Sequence, residues 1–485
     1  MALPPVLRSS VSHLHSWRWL AVALALTVWG LTDVRNRGRI DPDDPLAHKT
    51  DLTVYTEAGA AFFDGRNPYD VSNPRGWRYL YPPLFAILLA PLSALAPQWQ
   101  AVVWYFISLL FALGCWRESV RIWRLVVPDC ASEGTAAEQR GAPKWLGALT
   151  AATLALPALN CLQRGQVGIL VVYLLLLGYR LIAENRSWLS AAVGGAALAG
   201  AIALKLTPAL PALVLLGMLL VAAHARHWTA APTSRVARAV AGMAIGLLLF
   251  FLFVPSLAIG AAANMRHLHT WIDRVVIHHD MGDDNNSGFY SVRNQSLTNA
   301  VQRLGNWCAY ALAGGPSDLP GEGAGRDAVE PIDQPAVQRA LMPARFGLLA
   351  ILLIGGWKAA RRGDALDVAA AFGLASTVTL LISPLSWAHH YLLWLPGLLL
   401  VPPWLWRGGR TRLAATLAIA ACGLMIGHYL LLDWTGRAGL LGLGTTAWFL
   451  VSARIAARGD LLTVDASPAL DAPSDGHIVA SRQAA

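Results

Sequence analysis

Four ionisable residues stand out: Asp51 at the start of a helical apolar pattern, Lys205 flanked on both sides by apolar residues, and His389 and His390 at the end of an apolar run. Asp51 opens the stretch TDLTVYTEAGAAFFD, in which Leu52, Tyr55, Ala58, Gly59, Phe62 and Phe63 recur at helical spacing on one face. The spacing predicts a short amphipathic helix lying at a membrane surface, with Asp51 at its start. There the helix dipole and free N–H groups favour an ionised carboxylate, which suits a general base for a hydroxyl acceptor. Helix capping suits it equally well, and Thr50 would cap as readily. Lys205 lies in AIALKLTPALPAL. A lysine at membrane depth costs on the order of 3 kcal/mol on insertion scales, so it needs a partner unless it snorkels to a nearby span end. Phosphate is the partner best matched to it, because an ammonium binds phosphate as a point charge. His389 and His390, in SPLSWAHHY, could donate to a leaving phosphate or position an acceptor, although a histidine near an interface is more often structural.

Polar residues at the ends of other apolar runs extend this set. Asn160 and Gln166, in NCLQRGQ, offer hydrogen bonds to a sugar at a helix break, although short polar connectors are common. GRNPYD, with Asn67 and Tyr69, is a turn by composition. YLYPPLF, with Tyr81, leads into the next apolar run through paired prolines. RNQSL, with Asn294, precedes an amphipathic stretch over 298–312. Upstream, His267, His269, His278, His279, Asp280, Asp283 and Asp284 resemble a metal cluster at first sight. They match neither HExxH nor an EF-hand loop, whose twelfth position counted from Asp280 would be Ser291 instead of Glu. A solvated polar loop is the expectation, with no metal ligands and no cofactor assigned. Asn285-Asn286-Ser287 and Asn294-Gln295-Ser296 match the glycosylation pattern, which is too short to weigh.

The elements that position these residues must be membrane-spanning. Of the 485 residues 55% are hydrophobic and 14% charged, against about 25% charged in soluble domains. Runs at 170–179, 189–204, 206–223, 240–263 and 413–432 are almost free of charge, and a spanning helix needs about 20 such residues. A water-soluble chain would have to bury all of these helices on every side. The first run, 17–32, has no small-residue cleavage site close behind it and reads as a retained span. The net charge of +9 does not indicate a nucleic-acid partner, because Lys and Arg lie mostly in connectors, where they fix orientation. Of the twenty tryptophans, Trp17, Trp99, Trp188, Trp394, Trp404 and Trp406 lie near span ends and fit either an interfacial belt or packing. The five cysteines are scattered, with no CxxC and no disulfide framework.

Basic residues place the N-terminus inside, with connectors at 117–144, 180–186, 226–238, 358–362 and 407–412 and the tail from 454 on the same side. The short outside connectors carry only Arg164, Lys205 and Arg437. Two long loops, 33–80 and 264–340, then fall outside, and connections of that length are usually functional or disordered. The stretch 84–116 reads as two short spans broken at Pro97, whereas the charge count wants an odd number of crossings there. The expectation is an all-α bundle of roughly 11–13 transmembrane helices over 1–456. Both outer loops would carry amphipathic helices, with a flexible stretch at 314–334 and a disordered cytoplasmic tail at 457–485. No internal repeat is visible, which weighs against a transporter of inverted repeats.

Taken in order, Asp51…Tyr55…Ala58, GRNPYD, YLYPPLF, NCLQRGQ, ALKLTP, NQSL and SPLSWAHHY resemble the family-87 glycosyltransferases, from the first span to about Pro403. These are membrane enzymes of the GT-C class and include polyprenyl-phosphate-mannose-dependent α-mannosyltransferases. The resemblance implies an inverting transfer of a hexose, mannose above all, from a polyprenyl-phosphate sugar to a lipid or glycan acceptor. It implies no nucleotide-sugar fold, and a multi-pass enzyme of the plasma membrane acting at its outer face. Asp51 matches the family's catalytic aspartate, Lys205 the lysine of its KxTP motif, and His389 and His390 its paired histidines. Tyr55, Asn67, Tyr69, Tyr81, Asn160, Gln166 and Asn294 are then expected to contact substrate. The competing readings are a transporter or lipid flippase, and a non-enzymatic envelope assembly protein in which Asp51 only caps a helix.

Overall fold

The computed structural model describes residues 17, 20–127, 141–225, 233–278, 292–312 and 334–458. The expected flexible stretch, nearly all of the expected tail, and His279, Asp280, Asp283, Asp284 and the 285–287 motif fall wholly or almost wholly outside them. Among the described residues, extended chain pairs only in two isolated bridges, Ser72 with Arg78 and Asn294 with Trp387; the rest of the regular structure is helix. In chain order the helices are α1 (20–37), α2 (Leu52–Phe63), α3 (Pro83–Leu89), α4 (Pro97–Val126), α5 (Lys144–Arg164) and α6 (Gly168–Glu184). There follow α7 (Ser190–Leu204), α8 (Ala209–His224), α9 (Thr233–Leu247, continuing to Ile259), α10 (Ala261–Trp271) and α11 (Leu297–Leu312). The last five are α12 (Gln334–Arg361), α13 (Ala365–Ile382), α14 (Leu395–Arg407), α15 (Thr411–Leu430) and α16 (Leu440–Arg458). Seven of the described helices are long and apolar enough to cross a bilayer. The protein is a polytopic all-α membrane protein.

Helix α13 is the centre of the bundle. Every residue from Leu366 to Leu381 is buried, and α8, α12, α14 and α16 pack around it. A helix apolar on all faces is stable only when covered on all faces, here by other helices. Beside it, α6, α7 and α9 approach at glycine: a Cβ at Gly195 would run into the Ala239 carbonyl, and one at Gly242 into that of Ala192. Small residues let spans pack closely where lipid offers no hydrophobic drive to associate.

Two sequence expectations need correction. The stretch 84–116 is not two short spans broken at Pro97. Pro97 is the first residue of one 30-residue helix, α4, a position where proline's missing N–H costs nothing. The upstream helix Pro83–Ala94 is too short to cross, since about 20 residues are needed. One crossing remains, the odd number that the charge count wanted. Helix α2 does not lie on a surface with one apolar face; Leu52 through Thr56, Ala58, Gly59, Ala61 and Phe62 are all buried. Its polar side chains find partners within the protein: Thr53 Oγ1 meets His48 Nε2 at 2.7 Å, and Thr56 Oγ1 donates to Gln100 Oε1 at 2.6 Å. The helix also sits close on α3, where a Cβ at Gly59 would lie 2.5 Å from the Ala86 carbonyl oxygen.

The two ends of the bundle differ in chemistry. At one end the basic connectors close over buried acids: Glu118 with Arg180, Arg180 with Glu184, and Asp367 with Arg362 and the Trp404 indole. At the other the two long loops meet, with Arg274 paired to Asp70 and the Trp271 indole donating to the Leu80 carbonyl at 3.2 Å.

Candidate active site

The site is built where helix ends converge at the loop-bearing end. Helix α5 stops at Gly165, which takes a left-handed φ of 68°. Gln166 N–H donates back to the Cys161 carbonyl at 3.0 Å, and Gly165 N–H to that of Leu162 at 3.3 Å, a hydrogen-bonded C-cap that reverses the chain. The Arg164 carbonyl is left facing the start of α2. It accepts from the Asp51 N–H at 2.9 Å and the Thr50 hydroxyl at 3.1 Å. A Cβ at Gly165 would stand 2.8 Å from Thr50 Oγ1 and 2.9 Å from Leu52 Cβ, so glycine is required both for the φ and for the approach.

Asp51 occupies the N-cap position of α2, yet its side chain makes no capping hydrogen bond. The carboxylate turns instead to the α5 end. Arg164 Nε reaches Oδ2 and Nη2 reaches Oδ1, both at 3.2 Å, and Gln166 Nε2 also donates to Oδ2. The same amide presents Oε1 to the hydroxyls of Tyr55, at 3.2 Å, and Tyr81, at 3.4 Å. Burial pushes the Tyr55 phenol well above its ordinary range, so it remains a donor and fixes the amide's orientation. Asp51 itself is only 4% exposed.

Lys205 follows the last residue of α7 and is extended, with φ −159° and ψ 133°; α8 begins after Pro208. Its ammonium therefore leaves the helical barrel and points into the site. Nζ lies 3.0 Å from His390 Nε2 and 5.3 Å from the centre of the Tyr81 ring. His390 Nδ1 lies 3.2 Å from the Leu385 carbonyl. A carbonyl only accepts, so the proton sits on Nδ1 and the Nε2 lone pair faces the ammonium. His389 is buried with its ring edge-on to His390 at 4.4 Å. Lys205, Thr207, Ser383, His389 and His390 line a narrow cavity of about 30 Å3 that continues between aliphatic side chains of α6 and α13, room for one or two waters.

The structure thus brings together Asp51, Tyr55, Tyr81 and Gln166, and through Tyr81 also Lys205, His390 and His389. Tyr69 stands behind them, its hydroxyl donating to the Tyr81 carbonyl at 3.3 Å. Three expected residues lie apart. Asn67 closes a local turn with Tyr69 and Asp70. Asn160 is half-buried one turn before Arg164 on α5, and among the described residues no hydrogen bond ties it to the cluster. Asn294 is fully buried and holds backbone, accepting from Ser386 N–H at 2.9 Å and donating to the Pro384 carbonyl at 3.3 Å; it fastens the second loop to the histidine turn. Among the described residues no three His, Cys, Asp or Glu side chains are grouped to hold a metal ion.

Sequence reasoning missed Arg164, Trp77 and Trp387. The guanidinium lies over both indoles, 4.6 Å from the Trp77 ring centre and 5.4 Å from that of Trp387, in cation–π contact with each; the two rings also meet each other, their centres 6.0 Å apart. An arginine in the last turn of a helix is ordinary, and its partners lie far away in sequence, so no local pattern marks it.

Residues 79–384 match the model of glycosyltransferase family 87. The matched residues include Tyr81, Asn160, Gln166, Lys205 and Asn294, whereas Asp51, Tyr55, Asn67 and Tyr69 precede them and His389 and His390 follow them. No curated protein and no solved structure matches the chain. The family match covers more than half of the sequence, and the matched residues fold into a bundle with helices long and apolar enough to cross a bilayer. The chain belongs to glycosyltransferase family 87.

Proposed function

We propose that the protein moves a hexose, with mannose the first candidate, from a polyprenyl-phosphate sugar to a hydroxyl of a lipid or glycan acceptor. The reaction takes place at the outer face of the plasma membrane. The observation that carries this reading is the placement of one carboxylate and one ammonium in a single hydrogen-bonded and stacked chain, Asp51–Gln166–Tyr81–Lys205, at the break between two apolar helices. A lipid-borne phosphate arriving from the bilayer would meet Lys205 at that break. His390, which accepts from the ammonium, orients it. The acceptor oxygen attacks the anomeric carbon from the face opposite the phosphate, and its proton passes to Asp51. The bond between the anomeric carbon and the phosphate oxygen breaks with its electron pair going to the phosphate, where Lys205 stabilises the developing charge. The outcome is inversion, as in carboxylate-based glycoside chemistry with an oxocarbenium-like centre. The lipid phosphate is already a good leaving group, so no general acid is needed. Asn67 and Asn294 support substrate binding only indirectly in this scheme, through the loops they shape, and Asn160, within α5, has no part in it.

The test uses membranes supplied with labelled polyprenyl-phosphate mannose and other polyprenyl-phosphate hexoses. Asp51→Asn is expected to lower transfer by at least about a thousandfold, since it removes the base outright. Lys205→Ala is expected to raise the donor KM as well as lower kcat. Unchanged transfer by the Asp51 variant sinks the assignment of the base. Absence of transfer by the unaltered protein with every donor sinks the donor class.

A further inference from the structure

The Asp51 carboxylate is fully engaged. Both oxygens are taken by the Arg164 fork and one also by Gln166, and the side chain is nearly sealed from solvent. An acceptor hydroxyl cannot approach it in this arrangement. A base that must receive a proton has to lose one of these partners first, and the geometry indicates which. The two Arg164 contacts, at 3.2 Å each, are long for a guanidinium–carboxylate pair, whose usual range is about 2.7–2.9 Å. The Arg164 backbone cannot follow any movement, because its carbonyl is held by Asp51 N–H and Thr50. The side chain can. It lies over a pair of touching indoles from separate segments, Trp77 in the first long loop and Trp387 beside the histidine turn. A planar cation can shift across such a pair, from Trp77 toward Trp387, without losing cation–π contact. The Trp387 ring leads on to His389 at 6.4 Å and His389 to His390, which holds Lys205, so Arg164 and Lys205 flank the histidine pair from its two sides.

We propose that Arg164 is shared between Asp51 and the donor phosphate. Without donor it masks the base; when the lipid phosphate binds at Lys205, the guanidinium turns across the Trp77–Trp387 pair to the phosphate and uncovers Asp51. The base is thereby available only in the donor complex, and donor binds before acceptor. The guanidinium suits this exchange because its fork fits a carboxylate and a phosphate equally well. The inference rests on the donor class and base proposed above.

The test is binding of polyprenyl phosphate, the donor's leaving group, to the full-length protein in detergent or nanodiscs. If Asp51 and phosphate compete for one guanidinium, Asp51→Asn binds polyprenyl phosphate about tenfold more tightly than the unaltered protein, the equivalent of one charge-assisted hydrogen bond released. That gain disappears when Arg164 is also replaced, by Gln or by Met. A gain that persists in the double variants reflects simple charge repulsion and overturns the exchange, as does a lack of any gain. If neither replacement of Arg164 gives folded protein, carbodiimide labelling of the unaltered protein decides. Incorporation of glycine ethyl ester at Asp51, read by mass spectrometry, is expected to rise on adding polyprenyl phosphate, and an unchanged or reduced level overturns the proposal. Failure of the unaltered protein to bind polyprenyl phosphate at all counts instead against the donor class, and with it this inference.

Discussion

At the scale of single residues, the site depends on one amide. Gln166 donates to Asp51 through Nε2 and accepts from Tyr55 and Tyr81 through Oε1, so its orientation couples the carboxylate to the tyrosine that Lys205 faces. Gln166→Leu removes both functions and leaves buried polar groups short of a partner, at a cost of about 1–3 kcal/mol. Transfer by that variant is expected to fall roughly ten- to a hundredfold in kcat, with the donor KM little changed because the Lys205 contact is untouched. Steady-state kinetics at varied donor concentration check this, and a pure KM effect would remove Gln166 from the chemistry. Lys205 was legible in the sequence because a charge among apolar neighbours is conspicuous by its cost, Asp51 from its place at the head of an apolar helical pattern, and the histidine pair from its place at a span end. Arg164 was not. It is buried by residues from positions 51, 77 and 387, and only the folded chain shows that a helix-terminal arginine has become the partner of the proposed base.

At the scale of elements, the decisive junction is between the end of α5 and the start of α2. Gly165 makes it possible through its left-handed φ and its close approach to Thr50 and Leu52. Gly165→Ala adds a strained φ of order 1 kcal/mol and a methyl group where none fits. The two helix ends must separate, carrying Asp51 away from Gln166. The variant is expected to insert normally yet transfer at least about tenfold more slowly, since small displacements of a positioned base are costly. Membrane fractionation alongside the transfer assay checks both halves of that statement. Loss of insertion together with transfer would make the glycine a folding residue only. The sequence showed helix α2 in roughly its correct place. It misjudged the surroundings, because Thr53 and Thr56 read as a polar face, whereas His48 and Gln100 satisfy them inside the protein. At Pro97 the error was of another kind: a proline inside an apolar stretch read as a break, and it is a helix start.

At the scale of the whole molecule, charge bias and helix ends agree. The ion pairs around Glu118 and Asp367 mark one end of the bundle, and the Asp51 cluster the other. The helices that join them are long enough to span the bilayer. In a background with the native cysteines replaced, Lys49→Cys, beside the site, is expected to react with impermeant maleimide from the outside of intact cells. Arg186→Cys, 80% exposed at the opposite end, is expected to react only after the membrane is opened. Labelling of both from the same side would break the proposed topology. The apolar runs made this architecture readable because the requirement for a bilayer-long helix is written residue by residue. The partnership between distant segments is written nowhere locally.

That partnership also limits how the protein can be recombined. The backbone N–H of Asp51 is fastened to the carbonyl of Arg164, and the segments carrying them are separated in the chain by two crossings, α4 and α5. A chimaera that exchanges only the first long loop with another family member would deliver a carboxylate to a dock shaped for a different one. The smallest portable unit is two pieces, residues 48–81 and 160–168, moved together.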